Sequence, residues 1–199
     1  MPDFAKMFDT PQLFAALMAA STAFTIWALG HLVAMGVGFW KRSREKEKFI
    51  RSLYAEIDFN TADMAIFLDA PISYVTFRER VKQNKDFVPH ITDARHTHFY
   101  MKNIDSISAT GREYVGEVVY FYGVLDKIRA KIDGIYKKSF TNISLESRVI
   151  AIRSIYEHVE EAKKTGEQLL QTMEKKYKGY KLKRKVRSLG VSEKQKAPK

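Results

Sequence analysis

Apolar positions run unbroken from Leu13 to Trp40, LFAALMAASTAFTIWALGHLVAMGVGFW, through 28 residues that include no Lys, Arg, Asp or Glu. Coiled as a helix, such a run extends about 42 Å at about 1.5 Å per residue, beyond the ~30 Å hydrocarbon core of a bilayer. It predicts a membrane-spanning helix. After Trp40 the pattern becomes amphipathic. Phe49, Ile50, Leu53, Tyr54 and Ile57 recur at helical spacing, with Arg51, Ser52, Glu56 and Asp58 opposite them. No Gly or Pro separates the two stretches, so one helix is expected from about Gln12 to about Asp58. Met64, Phe67 and Leu68 extend it, and Asp69-Ala70-Pro71 ends it.

Shorter elements follow. Tyr74, Phe77 and Val81 pattern a segment from Ile72 to about Gln83, and Asn84 to His90, with Pro89, reads as a loop. Thr92 is a suitable N-cap for a helix to about Ala109 carrying Phe99, Ile104 and Ile107. Two strongly patterned helices close the chain. Arg112 to about Lys138 presents Tyr114, Val115, Val118, Val119, Tyr122, Leu125, Ile128, Ile132 and Ile135. Ser144 caps a helix from Leu145 to about Tyr177, with Val149, Ile152, Tyr156, Val159, Leu169, Leu170 and Met173 inward. The short connector Phe140-Thr141-Asn142-Ile143 suits an antiparallel hairpin. Period-two alternation and hairpin-turn signals are missing, so the fold class is all-α: a single N-terminal transmembrane helix, then a cytosolic helical bundle or long helical hairpin, coiled-coil-like in its pairing.

The expected organisation is a short extracytoplasmic N-terminus (1–12), the span (13–40), a basic juxtamembrane amphipathic helix (41–70), a helical domain (71–178) and a basic, disordered tail (179–199). Orientation comes from charge. Lys41-Arg42-Ser43-Arg44-Glu45-Lys46-Glu47-Lys48 carries five basic residues against two acidic ones, whereas Met1–Thr10 holds Asp3, Lys6 and Asp9. By the positive-inside rule this places the N-terminus outside and the body in the cytoplasm, as in a bacterial inner membrane. The apolar run continues past the small residues Ala19-Ala20-Ser21, which favours a retained anchor over a cleaved signal.

Within the span, Gly30, Ala34 and Gly38 form a small-residue stripe of the kind that lets helices approach closely in lipid. His31 is the lone ionisable group there, expected to hydrogen-bond a carbonyl of a packed neighbour. These four residues are the candidates for helix packing, with a second copy or another protein.

The formal net charge of +11 is concentrated at one end. Residues 171–199 hold 11 Lys or Arg against Glu174 and Glu193, and the rest of the chain is near balance. Lys175, Lys176, Lys178, Lys181, Lys183, Arg184, Lys185 and Arg187 are interleaved with Tyr177, Tyr180, Leu182 and Val186. With Lys41, Arg42 and Arg44 they are candidates for contact with anionic lipid, or alternatively with nucleic-acid phosphates. Lipid is favoured, because the anchor holds the tail beside a charged surface.

Catalytic signals are weak. The chain has no Cys, which excludes disulfides and thiolate metal sites. His90, His96 and His98, with Asp93, form the only histidine cluster, and histidines two apart on a helix point away from each other. Glu56 with Asp58, Glu113 with Glu117, and Glu160 with Glu161 read as solvated charge on amphipathic helices. No P-loop, G-x-G-x-x-G, G-x-S-x-G or H-E-x-x-H motif occurs. Gly111, Gly116, Gly123 and Gly134 read as close helix packing rather than a phosphate cradle. No cofactor, metal or catalytic residue is expected. The leading expectation is a non-enzymatic, membrane-anchored scaffold that presents a helical domain to a partner or a second copy. A tethered nucleic-acid binder and an accessory subunit of a larger membrane complex are the alternatives.

Overall fold

A computed structural model describes residues 11–70, 74–93 and 95–184. Every regular element among them is helical. The order is α1 (Pro11–Leu68), α2 (Tyr74–Gln83), α3 (His98–Lys102), a 3-10 helix (Ile104–Thr110), α4 (Arg112–Ile135), a 3-10 helix (Lys138–Asn142), α5 (Leu145–Lys176) and a last 3-10 turn (Lys178–Tyr180). The chain divides between Glu47 and Lys48 into two compact units.

In the first unit α1 carries the apolar run. An 18-residue window of it has a mean hydropathy of 1.7 and contains no buried residue. Phe24, Ile26, Leu32, Val33 and Phe39 are each more than 60% exposed, so this helix is apolar around its whole circumference. Its hydroxyls bond back along the helix, Thr22 Oγ1 to Met18 O and Thr25 Oγ1 to Ser21 O, both at 2.8 Å. Such back-bonding satisfies a hydroxyl without water.

The second unit is built around the final turns of α1 together with α4 and α5. Ile50, Leu53 and Ile57 of α1 are fully buried with Val118, Phe121 and Leu125 of α4 and Ile152, Ile155, Ala162 and Leu170 of α5. Most of the helical spacing read for α4 and α5 is their packing surface, but Val119 of α4, read with it, is 46% exposed. Ser144 caps α5 as expected, its Oγ accepting from the Ser147 N–H at 3.1 Å. α2 packs onto α5 through Phe77, whose ring lies 6.4 Å from that of Tyr156. The expected helix from Thr92 to Ala109 does not form. Ile91–Asp93 and Arg95–Thr97 are irregular, α3 is one short turn, and a 3-10 helix follows.

The glycine that packs closely is Gly166 on α5. A Cβ there would lie 2.2 Å from Thr61 Oγ1 and 2.9 Å from Phe121 Cε2. Gly111, which precedes α4 at φ +93°, also has close neighbours, the ends of the Lys176 and Glu113 side chains, whereas Gly116, Gly123 and Gly134 have open space beside them. Gly166→Ala is expected to lower the stability of the body by about 2 kcal/mol through overpacking. Combining it with Thr61→Ala should restore part of that loss in a urea titration of the full chain. An additive double variant would show that Thr61 is not the obstacle.

Candidate functional site

The inward face of α1 in the second unit is not wholly apolar. Glu56 and Asp58 are 9% and 6% exposed and Asn60 is fully buried. This corrects the reading of Glu56 and Asp58 as solvated charge. The Glu56 carboxylate accepts from the Phe99 N–H at 2.6 Å, the Tyr100 N–H at 2.9 Å and the Tyr122 hydroxyl at 2.7 Å. The two N–H groups belong to the first turn of α3, where a helix leaves its donors unpaired and favours negative charge. One turn on, Asn60 Oδ1 accepts from His96 N at 2.8 Å and its amide donates to His96 O at 2.6 Å. A further turn on, Asp63 Oδ2 meets His96 Nε2 at 3.0 Å.

The three side chains thus clamp 95–100 onto α1, and this explains why the segment is not the long helix expected. Arg95 completes the clamp, its side chain 7% exposed and bound to Asp93 at 2.7 Å and Asp126 at 2.9 Å. Burial raises the Asp93 carboxyl, but the hydrogen bonds and charge of Arg95 outweigh it and hold the group below its usual range. Burial, then the charge of Glu56, pushes the Tyr122 hydroxyl far above the ordinary tyrosine value, so it remains a donor. Tyr100 stacks on Tyr122 with ring centroids 3.7 Å apart.

Chemically, this is a cluster whose polar atoms serve one another. The cavity beside it, lined by Asp63, Arg95, Ile128 and Val159, measures about 30 Å³ and has room for little more than a water molecule. The histidines do not converge: His96 is occupied by Asp63, while His90 and His98 are exposed. Among the described residues, no group of three His, Asp or Glu side chains could hold a metal ion.

The basic candidates separate into two kinds. Lys41, Arg42 and Arg44 are exposed on α1, with the Arg44 guanidinium 4.0 Å above the Trp40 ring. Lys175, Lys178, Lys181 and Lys183 are exposed as well. Lys176 is instead drawn in, donating to Thr110 O at 3.1 Å, pairing with Glu113 and lying 3.8 Å over the Tyr114 ring. Arg184 Nε donates to Glu174 at 3.0 Å, and Glu174 accepts from the Tyr54 hydroxyl at 2.6 Å. Beside them Tyr177 donates to Thr110 O at 2.6 Å, and burial pushes its hydroxyl up to about 12. Residues 179–184, expected to be disordered, are therefore held on the body, with Tyr180 and Leu182 against its core. Lys185 and Arg187 lie outside the described residues.

In the first unit, a Cβ at Gly30 or Gly38 meets nothing within 4 Å, and Ala34 is exposed. His31 meets the Trp27 ring edge-on at 4.7 Å, one turn back on the same helix.

Fold and site together define a class: an all-helical protein whose N-terminal helix is long and apolar enough to cross a membrane. Comparison with known protein families, curated proteins and solved structures finds no match to this chain.

Glu56→Ala would leave three donors without their acceptor and is expected to lower stability by about 3 kcal/mol, read from the urea midpoint of the full chain. The Asp93–Arg95 pair gives a pH dependence of definite sign. The Asp93 carboxyl sits below its ordinary 3.8 when folded. Its contribution is therefore complete above that pH and lost as the pH falls through the lower folded value. Asp93→Asn should flatten the acid limb of a melting-temperature profile relative to the parent.

Proposed function

We propose that residues 13–40 anchor this protein in a bacterial inner membrane as a single span, N-terminus outside. The body then works as a non-enzymatic scaffold at the cytosolic face. One observation carries this reading: the apolar length of α1 is exposed all round, with no part of its most hydrophobic window buried by the chain itself. Apolar surface of that extent is unfavourable in water by roughly 25 cal/mol per Å². A bilayer covers every face of a helix at once. The flank of Lys41, Arg42 and Arg44 supports the orientation, and the Arg44–Trp40 stack suits an interfacial position.

The lipid role of the basic residues belongs to Lys175, Lys178, Lys181 and Lys183. The Tyr54–Glu174–Arg184 bonds hold that part of the chain on the body. Lys176 and Arg184 act inside the body instead. The scaffold role rests on buried polar atoms that serve one another, together with exposed apolar side chains such as Val119, Tyr120 and Ile150.

Because the chain has no Cys, single-cysteine variants report topology cleanly. Thr10→Cys should react with an impermeant maleimide in spheroplasts, and Ala130→Cys only after permeabilisation. The reverse pattern overturns the orientation, and release of the protein by alkaline carbonate overturns the span. In nanodiscs, anionic lipid should protect Lys175, Lys178, Lys181 and Lys183 from amine acylation relative to zwitterionic lipid. Equal acylation removes the lipid contact.

A further inference from the structure

Arg148 is 1% exposed, among the largest fully buried side chains of the protein. Its guanidinium donates to two carbonyls, Lys85 O at 2.5 Å and Phe87 O, and lies 5.0 Å from the centroid of the Phe140 ring. Its Nε has no hydrogen-bond partner among the described residues. A buried arginine is ordinarily matched to a carboxylate, because carbonyl dipoles offset only part of the cost of removing a full charge from water. Binding two carbonyls of the 85–87 loop requires donors and not a charge. The charge has a further consequence for the surface in front of it.

That surface is an open groove of about 360 Å³, lined by Lys82, Lys85, Asn142, Ser144 and Arg148 together with apolar neighbours. Three cationic side chains line it, and no acidic one does. The groove lies at the N-terminus of α5, a helix of 32 residues whose macrodipole adds positive potential there. Lys82 and Lys85 are exposed and able to close on a ligand, and Asn142 offers a neutral polar group. Three acids lie close by: Glu79, 3.5 Å from Lys82, Asp86, next to Lys85 in the loop, and Glu146 in the first turn of α5. None of them lines the groove. Its volume falls within the range of small-ligand sites, about 300–1,000 Å³.

We infer that this groove binds the phosphate group of a soluble ligand. Lys82 and Lys85 would serve as direct cationic contacts, and the buried Arg148 with the α5 N-terminus would supply the field behind them. The position favours a soluble source over a lipid headgroup. Arg148 stands about 39 Å along α5 from Glu174, beside which Arg184 holds the lysines proposed above to face lipid, and this preference rests on that reading. This site is independent of the basic residues proposed to face lipid.

The test titrates the full chain, in neutral maltoside micelles at constant ionic strength, with inorganic phosphate and separately with chloride. Calorimetry should show saturable phosphate binding and none for chloride. The variant Lys82→Gln/Lys85→Gln alters two exposed side chains and should leave the fold intact, checked by circular dichroism, while weakening phosphate binding by about tenfold. Quadruple Lys→Gln substitution at 175, 178, 181 and 183 should leave it unchanged. Absence of saturable binding, or binding insensitive to Lys82→Gln/Lys85→Gln, overturns the assignment. In nanodiscs containing phosphatidic acid, phosphate binding should persist; its loss there reassigns the groove to a lipid headgroup and overturns the soluble-ligand inference.

Discussion

Removing a carboxylate from water is among the most costly steps in folding, and the body of this protein is arranged around one such group. Glu56 sits on the inward face of α1 with two backbone N–H groups and a tyrosine hydroxyl directed at it. Each donor would itself be unsatisfied without the carboxylate, so the penalty of burial is shared by groups that need the same contact. The arrangement joins three parts of the chain. α1 provides the acceptor, the start of α3 provides two donors, and α4 provides Tyr122. Asn60 and Asp63 repeat the device along the same helix face, each one turn further on. Apolar packing alone would allow α1 to rotate or slide against α4 and α5. Directional bonds to His96, Phe99 and Tyr100 fix its register.

This clamp also explains what could be read along the chain and what could not. The α4–α5 hairpin and its Ser144 cap were legible because helical spacing and capping are local properties, visible within a few turns of sequence. The end of α1 near Leu68 was legible from the Pro three residues later. Glu56 and Asn60 were not. An acid on an amphipathic helix looks solvated until the chain brings donors to it, and those donors lie about 40 residues away in Phe99 and Tyr100. The same remoteness hid the course of 91–110. Its Thr92 cap and the positions of Phe99, Ile104 and Ile107 suggest a helix, but hydrogen bonds to α1 favour the irregular path. Gly166 was missed because its partner, Thr61, approaches from another helix. The long apolar helix was the most legible feature, although what covers it is a property of the surroundings and not of the chain.

The distribution of charge follows a similar logic. A formal charge of +11 suggests a basic tail reaching freely for a polyanion. Part of that charge is spent on the protein itself. Lys176 joins the C-terminus of α5 to the start of α4 through Thr110 and Glu113. Arg184 returns the chain to Glu174, already bonded to Tyr54. Both are cations near the carbonyl end of a long helix, where the macrodipole favours positive charge. The exposed lysines between them are consequently displayed on a fixed surface.

Glu56 and Arg148 make an instructive pair of buried charges. The carboxylate has two oxygens and three donors, and its charge is spread over groups that belong to the fold. The guanidinium has five N–H donors, and the carbonyls of Lys85 and Phe87 accept only part of that capacity. An arginine confined to stapling the 85–87 loop gains nothing from standing beside two further lysines and the positive end of α5. Repulsion among these groups raises the free energy of the empty groove. An oxyanion placed there relieves all of those terms together, because each cation and the helix terminus interact favourably with the same charge. The acidic clamp is thus complete within the chain, whereas the basic groove at the N-terminus of α5 would be completed electrostatically by the anion proposed to bind there.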